Sequence, residues 1–311
     1  MKRVLVTCPP MLGQIECFTA YAAERGLELV PAKVTQTLSE DELKEMLPAY
    51  DGWIIGDDPA TRAVFEAGKK GRLRAAVKWG IGVDNVDFEA CRNLGIPIDN
   101  TPGMFGEEVA DVALAYVIGL ARQLFFIDRS IRNDNAWPKP AGISLSGRTA
   151  GVVGLGDIGR NTAKRLMGCG MGVIGYDPGV QVDDGVPAII RADWPERVGE
   201  LDFLVFTCSL SKTNKHMLNG AILKKIKPSA YVINVARGAL IEQEALLRAL
   251  DSQAIAGVAL DVYEEEPLPA RSPLRSQPQC ILGSHNASNT LDAVDRASRK
   301  AIIYLDRFLN E

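Results

Sequence analysis

The sequence predicts an α/β protein of two domains, each a parallel sheet with helices packed on both faces. Three observations predict it. Short β-branched runs alternate with helical patterns along nearly the whole chain, the signature of strand-helix-strand units. The 311 residues exceed what one domain of roughly 100 to 200 residues holds. Six successive strand segments after residue 148 each end in polar or glycine residues, and in doubly wound sheets ligands bind outside those carboxyl ends.

In the first segment strands are expected at residues 3–7, 28–31, 52–55 and 76–78, the last running into the loop Trp79-Gly80-Ile81-Gly82-Val83-Asp84. A long helix is expected from about Gly106, because Val109, Val112, Ala113, Tyr116, Val117 and Leu120 recur at helical spacing, as in a core or subunit-contact helix. Residues 133–145 carry Trp137, Pro138 and Pro140 and read as a loop. The six later strands are expected at 149–153, 171–176, 203–206, 231–235, 255–260 and 280–282. Their tips are Gly154-Leu155-Gly156, Asp177, Thr207-Cys208-Ser209, Ala236-Arg237, Asp261 and Ser284-His285.

Composition narrows the function. Hydrophobic residues at 47% and charged residues at 24% describe a chain able to bury a large core. A net charge of -4 lacks the basic excess that neutralises phosphate backbones, so no nucleic-acid partner is expected. Six scattered cysteines include no Cys-x-x-Cys pair and no nearby histidine cluster, so no metal site is expected. Reduced cysteines and an N-terminus without a cleavable apolar run point to the cytoplasm. The longest apolar stretch, 109–121, is interrupted by Asp111 and is too short to cross a bilayer, so no membrane partner is expected.

Gly154-Leu155-Gly156-Asp157-Ile158-Gly159 is a G-x-G-x-x-G sequence set between a strand and a helix over residues 160–166. In that context Gly154 permits the tight turn, Gly156 admits a pyrophosphate, and Gly159 lets helix and strand pack closely. The phosphates then meet the positive end of a helix dipole. The next strand ends in Tyr176-Asp177-Pro178, where the fingerprint calls for an acid. Asp177 accepts ribose hydroxyls and repels a 2'-phosphate, so the cofactor is read as NAD.

Hydride transfer to a carbonyl needs a proton donor for the developing alkoxide, and an anionic substrate needs a cation. The chain has two histidines, and His285 lies at a strand tip. His216 lies in a connection before a helix, where a surface or helix-start role is expected. Arg237, between a strand and Gly238, suits bidentate grip of a carboxylate. One of Glu264, Glu265 and Glu266 orients the imidazole, and spacing alone leaves open which.

The motifs Gly80-Ile81-Gly82-Val83-Asp84-Asn85-Val86-Asp87, Asn100-Thr101-Pro102-Gly103, the glycine motif, Asn234-Val235-Ala236-Arg237-Gly238, Ala259-Leu260-Asp261-Val262-Tyr263-Glu264-Glu265-Glu266-Pro267 and His285 together resemble the D-isomer-specific 2-hydroxyacid dehydrogenase family. That family includes D-3-phosphoglycerate dehydrogenase and glyoxylate/hydroxypyruvate reductase. The resemblance implies that Arg237 binds the substrate carboxylate, that His285 is the general acid/base, and that Glu266 pairs with it. It further implies that Asp261 and the Val235 carbonyl hold the nicotinamide carboxamide. Thr207, Cys208 and Ala236 line the cofactor, while Gly56, Trp79, Ile81 and Gly82 meet the substrate. The implied architecture inserts a Rossmann cofactor domain, 100–285, into a flavodoxin-like substrate domain of 1–99 plus 286–311, with a homodimer built on the helix near Gly106.

Several positions depart from the family pattern. Thr207-Cys208-Ser209 replaces a His-x-Pro, Asn286-Ala287-Ser288 follows His285, and Trp79 is bulky. The loop Gly56-Asp57-Asp58-Pro59 brings no cation of its own for a phosphate, which leaves Lys78 or Arg62. The chain ends soon after Phe308, so no C-terminal regulatory domain is expected. The expected substrates are 3-phosphoglycerate or glyoxylate/hydroxypyruvate. The rival expectation is an NAD(H)-binding interaction or scaffold protein on the same fold. Formate oxidation is disfavoured, because that activity resembles a site with glutamine where Glu266 stands.

Overall fold

The computed structural model describes residues 1–180 and 189–311. The chain divides into two compact units, Met1–Phe105 with Asn289–Glu311, and Gly106–Ser288.

In the first unit the strands are β1 (Lys2–Val6), β2 (Leu27–Pro31), β3 (Gly52–Ile55), β4 (Ala75–Lys78) and β5 (Ile98–Asn100). All pair in parallel in the order β2-β1-β3-β4-β5, the flavodoxin-type order. Expectation and structure agree on the first four to within one or two residues. β5 was not anticipated because three half-exposed residues carry no alternation to read. β3 and β4 are buried along their whole length, as parallel strands covered on both faces must be.

Local chemistry sets the helix starts. Ser39 forms a capping box with Glu42 ahead of helix Glu40–Met46, and Thr61 caps Arg62–Lys70. The helix Leu291–Asn310 begins at Thr290, whose hydroxyl accepts the Ala293 amide. It turns Ala293, Val294, Ala297, Ala301, Ile302 and Leu305 inward, a stripe at helical spacing, and packs on β3, β4 and β5.

The second unit holds β6 (Thr149–Val153), β7 (Gly172–Tyr176), β8 (Ile190–Arg191), β9 (Phe203–Phe206), β10 (Tyr231–Asn234), β11 (Gly257–Leu260) and β12 (Cys280–Leu282). Their parallel order is β12-β11-β10-β9-β6-β7-β8, the Rossmann order with one further strand, and the winding reverses between β6 and β9. Six of the seven were expected. β8 escaped because its two residues are too few to show a period.

The helix expected near Gly106 spans Gly106–Ala121 and is a core element, with Val109, Ala113, Tyr116, Val117 and Leu120 buried. Gln123 then takes a positive φ of 55°, and a second helix, Leu124–Asn133, leaves at 69° to the first. This second helix, not the first, carries exposed apolar side chains at Leu124, Phe125, Phe126 and Ile131. Trp137 follows at 77% exposure in an irregular segment. Among the described residues no single helix is long and apolar enough to cross a membrane.

A polar knot closes the carboxyl ends of β1 and β3. The fully buried Asp58 carboxylate accepts the Thr7 hydroxyl, the Leu38 amide at 2.9 Å and the Gly56 amide at 3.1 Å. Burial pushes its carboxyl above the usual range, and these hydrogen bonds together with Lys78 pull against it. Asp58→Ala strands the buried Leu38 amide and leaves Thr7 and Gly56 with only their longer hydrogen bonds, so we expect a loss of about 2 to 4 kcal/mol of stability in denaturant unfolding. Wild-type stability in that variant would contradict this account.

Candidate active site

Glycine behaviour in the β6 tip separates what the fold requires from what a ligand requires. Gly154 has φ 92° and lies so close to Cys208 that a Cβ there would overlap the β9 tip. A Cβ on Gly159 would overlap the Gly154 carbonyl, so the helix Asp157–Gly168 is seated directly on the turn. The Thr207 hydroxyl lies within reach of the Val153 carbonyl at 3.0 Å and the Gly154 carbonyl at 2.8 Å, which props the turn from the neighbouring strand. At Gly156, the N-cap of that helix, a Cβ would meet no protein atom within 4 Å. Open space beside unpaired helix N-terminal amides is a cradle for an anion, and a dinucleotide pyrophosphate fits it.

Asp177, at the β7 tip, accepts the Leu155 amide at 2.7 Å and the Gly179 amide at 2.8 Å. It therefore makes the turn before Pro178 and still keeps lone pairs for ribose hydroxyls. Tyr176 is buried edge-on to Trp194, with its hydroxyl donated to the Glu196 carbonyl. Cys208 is partly buried, and its thiol is pushed up to about 11 by desolvation. These residues line or support the cradle.

Three neighbouring strands deliver the side chains expected to be reactive to one sheet edge. After β10, the Asn234 side chain donates to the Arg237 carbonyl at 2.8 Å and accepts the Ala236 amide at 3.0 Å, holding the turn that presents Arg237. A Cβ on Gly238 would overlap the Tyr263 carbonyl, so this turn lies against the segment following β11. That segment begins at Asp261, only 2% exposed, whose carboxylate accepts the Asn286 amide at 3.2 Å, the Ala287 amide at 2.9 Å and the Tyr116 hydroxyl at 3.4 Å. The His285 amide donates to the Asp261 carbonyl at 2.7 Å. The β11 tip thus builds the loop that carries His285.

His285 has φ 56°, a left-handed conformation costly for a side-chain-bearing residue and concentrated at functional sites. Its Nδ1 stands 2.6 Å from Glu266 Oε2, while Glu266 Oε1 accepts the Tyr263 amide at 2.9 Å. Nδ1 faces the carboxylate, and Nε2 is the ring nitrogen turned away from it. Of the three glutamates, Glu266 is the one on His285. Glu264 lies 2.6 Å from His216 Nε2 instead; the His216 side chain is 40% exposed, in keeping with a surface role, while Asn219 and not His216 caps the following helix.

In the first unit the residues expected at the substrate divide. Trp79 is buried on Phe105, its indole donating to the Ser298 hydroxyl at 3.1 Å. Gly56 is buried, with its amide bonded to Asp58 and its carbonyl accepting from Lys78 and Asn85. Ile81 is exposed and Gly82 partly so, after Gly80 at φ 125°. Lys78 is 2% exposed and paired with Asp57 at 3.1 Å, whereas Arg62 is exposed. Sequence reading missed Asn234, Tyr263 and Tyr116, which reach the site only through tertiary contact. Asn234 and Tyr263 carried a sequence signal through the motifs that contain them, and Tyr116 showed only as a core position of its helix.

The family described as D-isomer specific 2-hydroxyacid dehydrogenase, NAD binding domain, matches residues 114–287. A glyoxylate reductase of Korarchaeum cryptofilum is 34% identical over 289 residues, covering 85% of this chain and 83% of its own. A D-3-phosphoglycerate dehydrogenase of Methanocaldococcus jannaschii is 32% identical over 94% of this chain and 55% of its own. The crystal structure of a glyoxylate reductase from Paecilomyes thermophila superposes with a TM-score of 0.83 at 25% identity, covering 100% of this chain and 96% of that one.

The glycine geometry gives a paired prediction. Gly156→Ala leaves the melting temperature nearly unchanged while weakening NADH at least about tenfold, since the new methyl enters only the pyrophosphate space. Gly159→Ala lowers the melting temperature itself. Fluorescence titration with NADH and thermal unfolding read the two effects, and equal behaviour of the variants would refute the assignment.

Proposed function

The chain belongs to the D-isomer-specific 2-hydroxyacid dehydrogenase family, and we propose that within it this protein reduces a small unphosphorylated 2-keto acid of the glyoxylate or hydroxypyruvate kind with NADH. The observation that carries the reading is the Glu266–His285 pair at 2.6 Å, on the sheet edge that also bears Arg237. One feature favours the unphosphorylated acid: the lysine at the β4 tip already has its charge matched by Asp57.

In this reading Arg237 holds the carboxylate of the keto acid, and Ile81 and Gly82 are the first unit's substrate-binding assignments. Bound NADH supplies the hydride for the carbonyl carbon. His285 gives its Nε2 proton to the carbonyl oxygen as negative charge develops there. Glu266 accepts the Nδ1 proton in a hydrogen bond, fixes the ring, and stabilises the imidazolium form that donates. In the oxidative direction the same nitrogen accepts the hydroxyl proton. Asp261 and the Val235 carbonyl are assigned to the nicotinamide carboxamide, and Leu155, Ile158 and Asp177 to the pyrophosphate and ribose side. The first unit is thereby the substrate domain and the second the cofactor domain.

Assembly follows from the same chain. Leu124, Phe125, Phe126, Ile131 and Trp137 are exposed apolar groups within fourteen positions of one another, an accumulation that a second copy of the chain would cover. Six unpaired cysteines support a reducing, cytoplasmic setting.

His285→Ala is expected to lower kcat by roughly 100-fold or more while NADH affinity stays near wild type. Arg237→Ala is expected to raise the keto-acid KM as well. Steady-state kinetics over glyoxylate, hydroxypyruvate, pyruvate and 3-phosphohydroxypyruvate, with NADPH in parallel, checks both. A preference for the phosphorylated acid would overturn the substrate assignment, and NADH binding without turnover of any acid would favour the scaffold alternative. Trp137→Asp should shift sedimentation from dimer towards monomer. A wild-type monomer would sink the dimer.

A further inference from the structure

The two histidines of the chain each grip one glutamate of a single acidic run. His285 faces Glu266, and two positions earlier Glu264 Oε1 lies 2.6 Å from His216 Nε2. His216 also has a positive φ, 54°, which directs its side chain across to that run at a backbone cost. Its amide donates to the Ala239 carbonyl at 2.8 Å, and two residues on the Leu218 amide donates to the Leu240 carbonyl at 3.1 Å. The backbone around His216 is therefore tied to the turn that follows Arg237, and its imidazole to the segment that carries Glu266. Gly238, pressed against the Tyr263 carbonyl, closes the third side of this brace.

We propose that His216 is a positioning residue for hydride transfer: by holding Glu264 it fixes the segment 261–267, and with it the Glu266 carboxylate against His285. The proposal rests on the reading of His285 as the proton donor. His216 touches neither cofactor nor substrate in this role. Its effect reaches the reaction through the placement of Glu266, in the way that outlying partners of metal-ligating histidines change activity by about 10- to 100-fold when removed.

The test compares His216→Leu with His216→Gln. Both side chains meet the same left-handed backbone cost, and only glutamine keeps an N–H to offer Glu264. Keto-acid reduction is followed across pH, and the His285 imidazole is titrated by NMR, where each variant leaves a single histidine signal. For His216→Leu we expect kcat to fall about tenfold with NADH affinity within about twofold of wild type. We also expect the His285 titration midpoint and the alkaline limb of kcat/KM to move to lower pH, because a loosened carboxylate stabilises the imidazolium less. His216→Gln should restore both. An unmoved His285 titration in His216→Leu overturns the proposal, as does equal loss in both variants. If the wild-type protein reduces no keto acid, the functional reading fails on its own, and the NMR titration still decides whether His216 positions Glu266.

Discussion

The second unit depends on one buried carboxylate. Asp261 sits at the end of β11 with almost no exposure, in a place where an isolated charge would be costly. It is tolerated because two backbone amides and a tyrosine hydroxyl converge on it. Those amides belong to Asn286 and Ala287, so satisfying the charge also folds the loop that holds His285 in its left-handed conformation. The Tyr116 hydroxyl comes from the core helix Gly106–Ala121, and burial, with the proximity of Asp261 adding to it, pushes that phenol upward. Charge satisfaction, helix packing and placement of His285 are thus one event.

Against that background the rest of the reactive edge is a matter of strand order. β10, β11 and β12 are adjacent and in register, so residues far apart in sequence emerge side by side. The parallel ladder places them and the turns aim them. Asn234 shapes the turn of Arg237, Tyr263 ties its segment to the Gly283 carbonyl at 2.8 Å, and Glu266 closes on the Tyr263 amide. None of these supports needs to meet a substrate to matter.

Much of this was legible in the sequence, for identifiable reasons. Buried parallel strands are continuous apolar runs, so ten of twelve announced themselves, and the two that did not are the short outer strands β5 and β8. The glycine motif was legible because two of its three glycines are demanded by the protein's own crowding. Spacing could not choose among Glu264, Glu265 and Glu266, since the choice is made by which strand tip lies opposite. The partnership of His216 was invisible for the same reason. Lys78 read as a cation for substrate, and only its burial beside Asp57 revealed a charge already matched. Sequence pattern reports period and local turn chemistry, whereas pairing across a sheet edge is a tertiary outcome.

The first unit is assembled from two stretches of chain separated by the whole of the second. The helix Leu291–Asn310 covers β3, β4 and β5, and Ser298 on that helix receives the Trp79 indole. During synthesis the sheet of this unit is therefore made early and roofed last. While the intervening residues emerge, an apolar face with Trp79 at its rim waits for its covering helix, exposed to wrong partners in the way that chaperones exist to prevent. The inserted unit meets no such delay, because its seven strands and their covering helices come off the ribosome as one uninterrupted piece. The order of completion runs from the middle of the chain outward.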